Sequence, residues 1–344
     1  MKFETLRDIL FMLPPETAHH LSLESIGLLR RLNLSGMVAK PVADDPVEVM
    51  GLKFANPVGL AAGLDKDGDF IDGLAALGFG FLEVGTVTPR PQRGNPRPRM
   101  FRLPEKQALI NRMGFNNLGV DHLVRRVKAS SYEGVLGINI GKNADTPMEN
   151  ALDDYESCMR KVYDIASYIV VNISSPNTPG LRALQQKDSL VKLLTGLRQA
   201  HSQLRENQGR HVPLVVKISP DMDDEEVIHM SGTLSEFKVD GVIISNTTVS
   251  RSAVVGEKYS DEAGGLSGMP LRNQANHVLQ LMASHVPPEI ALIGVGGIMS
   301  GPDAAEKVRL GANLVQLYTG FVYKGPELIG DCVRELRRIP RAHR

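Results

Sequence analysis

Along most of the chain, short apolar runs alternate with polar exits and helix-compatible stretches. The runs are Pro57 to Ala62, Gly80 to Thr86, Val135 to Ile140, Tyr168 to Ile173, Pro213 to Ile218, Gly241 to Ser245, Ile290 to Val295 and Asn313 to Tyr318. Several are dominated by β-branched residues and read as strands buried on both faces. Helical stretches separate them at 69–77, 117–128, 147–166, 189–206, 224–237, 271–284 and 302–310. Eight strand–helix units predict an α/β fold of the (β/α)8 TIM-barrel type, because a doubly wound open sheet usually stops at fewer strands.

Residues 1–40 follow a different pattern and form an N-terminal extension to a barrel domain over 41–344. Leu6, Ile9, Leu10 and Leu13 share one helical face, Pro14 and Pro15 break the chain, and Ala18, Leu21, Ser25, Leu28 and Leu32 mark a second face. Two short amphipathic helices joined by a proline corner follow. Phe11, Met12, Leu23, Ile26 and Leu29 exceed what one packed stripe needs, and Arg7, Arg30 and Arg31 lie among them. The segment suits either a bilayer interface beside anionic headgroups or a helical pair packed on the barrel.

The gap between the second and third strands is too long for one helix, so 88–115 is an insertion. Its run TPRPQRGNPRPRMFRLPE is rich in Pro and Arg. The prolines forbid a groove-reading helix and no interleaved aromatics offer a stacking platform, so nucleic acid is excluded in favour of a charged hairpin over the barrel mouth. Lys+Arg and Asp+Glu each number 39, which also argues against general nucleic-acid binding. The two cysteines, Cys158 and Cys332, provide neither a disulfide framework nor a metal pattern, and no metal is expected. No apolar run approaches the ~18–20 residues of a membrane span.

Chemistry concentrates where strands end. The stretch YIVVNISSPNTPG, Tyr168 to Gly180, passes from a buried strand into turn formers and delivers polar side chains at its exit. The first strand exits through GLAAGLDKDG, where Ala61, Ala62 and Gly63 leave room for a flat ring and Lys66 follows. Thr86, Asn139, Asn172, Lys217 and the trio Ser245, Asn246 and Thr247 close the next five strands. Gly296 and Gly297, then Tyr318, Thr319 and Gly320, end the last two; the glycines suit either an ordinary turn or the common barrel phosphate site. Lys217 stands in an apolar strand and needs a partner. A Schiff-base role and a fixed charge beneath an electron-rich ring both satisfy it.

These motifs together resemble the class 2, quinone-dependent dihydroorotate dehydrogenases. GLAAGLDKDG, INRMGFNN, NISSPNTPG, KISPD, SNTT, GGLSG, IGVGGI and LYTG carry the resemblance across nearly the whole chain. It implies FMN held by Ala62, Gly63, Leu64, Asp65, Lys66, Thr86, Asn139, Asn172, Lys217, Ser245, Gly268, Gly297, Tyr318 and Thr319. It implies dihydroorotate held by Lys66, Asn111, Arg112, Met113, Gly114, Phe115, Asn172, Asn177, Asn246 and Thr247. Ser175 would be the catalytic base, with Thr178 relaying its proton through water.

A serine at 175, together with the N-terminal extension, matches class 2, since the soluble class 1 enzymes resemble this barrel with a cysteine base and no helical pair. The resemblance then implies a membrane quinone entering between the two helices, with His19, Arg102 and Tyr318 lining its tunnel. His19 is equally readable as a surface histidine. The expected function is oxidation of dihydroorotate to orotate in pyrimidine synthesis by a monomer without an obligate protein partner. Its expected location is the cytoplasmic face of a bacterial inner membrane. The rivals are a class 1 enzyme using fumarate or a nicotinamide chain, a Schiff-base aldolase, and a non-catalytic peripheral membrane protein.

Overall fold

A computed structural model describes residues 3–32, 34, 36 and 39–340. The helices are α1 Phe3–Phe11, α2 Pro15–Arg31, α3 Ile71–Ala75, α4 Val120–Ala129, α5 Ala151–Val162, α6 Lys187–Gln208, α7 Asp224–Glu236, α8 Arg272–Ala283, α9 Gly301–Arg309, α10 Thr319–Lys324 and α11 Glu327–Leu336. The strands are β1 Val47–Val49, β2 Leu52–Phe54, β3 Val58–Leu60, β4 Phe81–Val87, β5 Met100–Leu103, β6 Ala108–Asn111, β7 Val135–Ile140, β8 Tyr168–Asn172, β9 Leu214–Ile218, β10 Gly241–Ile244, β11 Gly265–Gly268, β12 Ala291–Val295 and β13 Leu314–Leu317. The strands β3, β4, β7, β8, β9, β10, β12 and β13 close a parallel barrel in that order, β13 pairing with β3. These are the eight runs predicted, and every β8 and β9 residue is buried.

Layers of side chains fill the barrel. Phe81 and Tyr168 occupy its lower part, and Gly59 and Gly137 make room for them: a Cβ on either glycine would lie 2.3 or 2.1 Å from the facing ring. The antiparallel hairpin β1–β2, absent from the sequence reading, plugs the bottom, packing Val47, Leu52 and Phe54 on that layer. Its turn is Met50-Gly51, both at positive φ, and Met-Gly lacks the Asn-Gly signature of such turns. The hairpin therefore closes the lower end, and the cavity described below opens at the strand C-termini.

The insertion folds as predicted into a hairpin, β5–β6, over that open end. Strand β11 joins it to make a three-stranded sheet. The sheet spans the mouth and sends Asn111, Ser267 and Gly268 to one cavity described below and Met100, Arg102 and Leu109 to the other.

The two N-terminal helices form as predicted, but their faces are used differently. Leu23 is buried and Ile26 packs against α3, so close that a Cβ on Gly73 would sit 3.0 Å from it. The hydrophobic pattern alone marks both as surplus. Of the stripe read as a face, only Ala18 is buried, whereas Leu21, Leu28 and Leu32 are 48%, 54% and 57% exposed, and Ile9 and Met12 join them at 53% and 85%. The helix turns its bulkier branched stripe outward because α3 meets it on the opposite side. Among the described residues no helix is long and apolar enough to cross a membrane.

Candidate active site

Above the strand ends lies a cavity enclosing ≈ 990 Å³, its mouth included. From the predicted cofactor set, Ala62, Gly63, Lys66, Thr86, Asn172, Lys217, Ser245, Gly268, Gly297, Tyr318 and Thr319 line it. So do Asn111, Met113, Gly114, Phe115, Ser175, Asn177, Asn246 and Thr247. Four predicted residues do not. Leu64 faces a second, apolar cavity. The Asp65 carboxyl is spent on the N–H groups of Asp69 and Phe70, at 3.0 and 2.8 Å, which fixes the loop after β3; burial raises its pKa to about 6. Arg112 braces the mouth sheet from outside, ion-paired to Glu262 at 2.5 Å and stacked on Phe101. Asn139 lies fully buried beneath the cavity floor.

Asn139 belongs to a buried network that originates at Glu83, which sequence reasoning passed over. The Glu83 carboxylate accepts from Asn139 Nδ2 at 2.9 Å, Gln316 Nε2 at 2.6 Å and Tyr168 OH at 3.2 Å. A carboxylate only accepts, so Asn139 must turn its Oδ1 the other way. That oxygen receives Thr86 Oγ1 at 2.6 Å and Asn172 Nδ2 at 3.2 Å. Asn172 Oδ1 is thereby left to accept from Ser174, at 2.9 Å from its Oγ. One acid sets the direction of every amide up to the cavity wall. Glu83→Gln faces three donors with a group that itself donates, leaving one unsatisfied at a cost of about 1–3 kcal/mol. We expect a lower melting temperature and weaker ligand binding at Asn172; wild-type values for both would contradict this polarity.

Lys217 stands above Glu83 and, among the described residues, makes no hydrogen bond. Burial pulls its pKa down and the Glu83 charge opposes that pull. Lys66 donates to Gly63 O at 2.8 Å, and burial lowers it to about 8. Among the described residues Gln316 Oε1 is buried without a partner. At the other end the wall is backbone: a Cβ at Gly297 would lie 2.3 Å from Arg272, at Gly268 2.2 Å from Gln107 O, and at Gly320 2.0 Å from Ile298 O. Unpaired cation and carbonyl at one end and a glycine wall at the other fit a flat, electron-accepting ring bearing a phosphate.

Ser175 lies on the loop after β8. Its Oγ accepts from Asn177 N at 3.2 Å and, among the described residues, donates to nothing. Thr178 Oγ1 and Thr247 Oγ1 are likewise buried without partners among the described residues. Arg182 pins this loop to the one after β10, donating to Ser174 O at 3.1 Å and Thr247 O at 2.9 Å while paired to Asp221 at 2.7 Å. The aspartate of the KISPD motif thus anchors two loops.

The second cavity, ≈ 1460 Å³, lies between α1, α2 and the mouth sheet. His19, Arg102 and Tyr318 all line it, and Tyr318 also lines the first. Burial, with Lys66 nearby, lowers the His19 pKa to about 3, so the ring is neutral at physiological pH. Arg102 bonds Leu13 O and sits 4.6 Å over the Phe11 ring. His19, half-buried, thus lines this cavity. Sequence reasoning misses Glu83, Gln316, Arg182 and Ser267, which lines the first cavity and accepts from Thr319 Oγ1 at 2.8 Å, although a Glu in FLEVGTV and a Gln in LVQL are polar residues in apolar strands that need partners.

A family model described as dihydroorotate dehydrogenase matches residues 46–339. A protein of Ectopseudomonas mendocina named dihydroorotate dehydrogenase (quinone) is 58% identical over 331 residues, covering 96% of this chain and 97% of the relative. One of the same name from Cellvibrio japonicus is 58% identical over 95% of this chain and 96% of the relative. The crystal structure of an Eimeria tenella dihydroorotate dehydrogenase in complex with ferulenol superposes with a TM-score of 0.85 at 37% identity, covering 94% of this chain and 90% of that one. By this match and this site, the chain belongs to the dihydroorotate dehydrogenase family.

Proposed function

We propose that the protein oxidises dihydroorotate to orotate with FMN and passes the electrons to a membrane quinone. The observation that carries this reading is the pairing of two cavities across Tyr318, one polar with Lys217 and Ser175, the other apolar and walled by the N-terminal helices. Lys217 serves as a fixed charge against the reduced ring, and not as a Schiff-base nucleophile. The residues that line the first cavity hold the ring, with Gly268, Gly297 and Thr319 at its phosphate. Asn111, Asn172, Asn177 and Asn246 meet the alternating N–H and C=O groups of dihydroorotate, and Lys66 its carboxylate.

Bound FMN supplies the acceptor for the hydride lost from C6. Ser175 takes the C5 proton and yields its own toward Thr178, whose buried, unpartnered hydroxyl suits a water relay. Loss of one proton and one hydride leaves the C5=C6 double bond of orotate. The Asn177 N–H favours the oxygen anion on Ser175, and Arg182 holds its loop in place.

The exposed stripe of Leu21, Leu28 and Leu32, with Arg30 and Arg31 in the last turn of α2, suits a membrane surface. We place it on the cytoplasmic face of a bacterial inner membrane. The test of the reaction is stoichiometry: dihydroorotate with a short-chain quinone should yield one orotate per quinone reduced. Turnover with fumarate and none with quinone would overturn the reading.

A further inference from the structure

Arg99 carries a charge at a place where a charge is costly. It is 5% exposed, within the Pro/Arg-rich insertion, and its partner is remote in sequence: Glu16, in the first turn of α2. Arg99 Nη2 lies 2.6 Å from Glu16 Oε1, and the exposed Arg97 reaches the same carboxylate at 3.0 Å. Burial pushes the Glu16 carboxyl up, but the two guanidinium groups outweigh it and hold its pKa below the ordinary value.

The other edge of Arg99 faces the substrate loop. Its Nη1 donates to Asn95 O at 3.0 Å and Arg93 O at 2.7 Å. Asn95 Nδ2 in turn donates to Asn177 O at 3.2 Å and Arg112 O at 3.0 Å. Asn177 donates its N–H to Ser175 Oγ and its amide to Asn111 Oδ1, at 3.2 and 3.3 Å. The path is closely packed at Gly94, where a Cβ would lie 2.3 Å from Met113 O and 3.0 Å from Arg99 Nη1. A line of direct polar contacts therefore runs from the helix over the apolar cavity to the loop bearing Ser175, beside the cofactor cavity and not through it.

We infer that Glu16 and Arg99 are a positioning pair that couples docking of α2 to the placement of the Ser175–Asn177 loop. Ligand in the substrate mouth and the helix over the apolar cavity then stabilise each other, because coupling between two sites is reciprocal. This rests on the substrate assignment above. A purely structural ion pair would hold α2 in place but would not let ligand at Asn177 change its stability.

The test uses the holoenzyme, with orotate binding followed by the flavin absorbance and α2 stability by hydrogen exchange. In the wild type, orotate should slow exchange across residues 15–31. Glu16→Gln should remove that slowing and weaken orotate binding about tenfold, a typical coupling. Arg99→Lys, which keeps the charge but loses the two-sided fork, should do the same and serves if the first variant is unstable. Arg97→Gln, which touches Glu16 but not Asn95, should retain the slowing. Orotate binding that leaves wild-type α2 exchange unchanged overturns the coupling alone, as does undiminished slowing in both Glu16→Gln and Arg99→Lys. No flavin response to orotate overturns the substrate assignment and the coupling with it.

Discussion

Ser175→Ala should give a protein that keeps its flavin but reduces it about 10²–10⁴ times more slowly with dihydroorotate, the span for loss of a positioned base. The hydroxyl is buried, on the cavity wall, and among the described residues its one hydrogen bond is accepted, from Asn177 N. That leaves its proton unengaged among the described residues, and the Asn177 N–H points at the oxygen that would carry the charge. Losing that single bond accounts for only about 0.5–1.5 kcal/mol, or roughly tenfold, so a larger loss requires that Ser175 act on the reacting atoms. Stopped-flow reduction under anaerobic conditions measures this directly. A wild-type rate in the variant would remove Ser175 from the role.

Removing residues 1–36 should abolish quinone reduction and vesicle binding while leaving flavin reduction intact at saturating dihydroorotate. Helices α1 and α2 supply much of the wall of the apolar cavity, and without them Arg102 and Tyr318 face water. The exposed Ile9, Met12, Leu21, Leu28 and Leu32 go as well. Full burial of such side chains in a bilayer is worth about 1.5–3 kcal/mol each. The first cavity loses none of its lining residues. Because Glu16 is also lost, the truncated protein should need more dihydroorotate to saturate. Quinone assays and co-sedimentation with anionic vesicles decide; full quinone activity without the segment would refute the tunnel.

The barrel was legible because a parallel strand covered on both faces writes a continuous apolar run. Val135 to Ile140 was read from that signal and is strand β7, bound for bound. The plug hairpin escaped because its Met-Gly turn carries no strong turn signal, and β11 because Gly265–Gly268 looks like loop. On α2, periodicity identified a stripe but not which side the barrel would meet. Most of the site was legible at strand ends. Motif matching, however, transfers positions and not side-chain directions, so Asp65 and Arg112 were drawn into a pocket that their side chains turn away from. Glu83 was hidden for the opposite reason: it lies deep inside the barrel, one layer below every exit.

The most direct test of the account is the spectrum of the purified protein in the absence of oxygen. It should be yellow with bound flavin, and stoichiometric dihydroorotate should bleach the visible band, with a short-chain quinone restoring it. A colourless preparation that takes up no FMN, or a yellow one that dihydroorotate leaves unbleached, would contradict it.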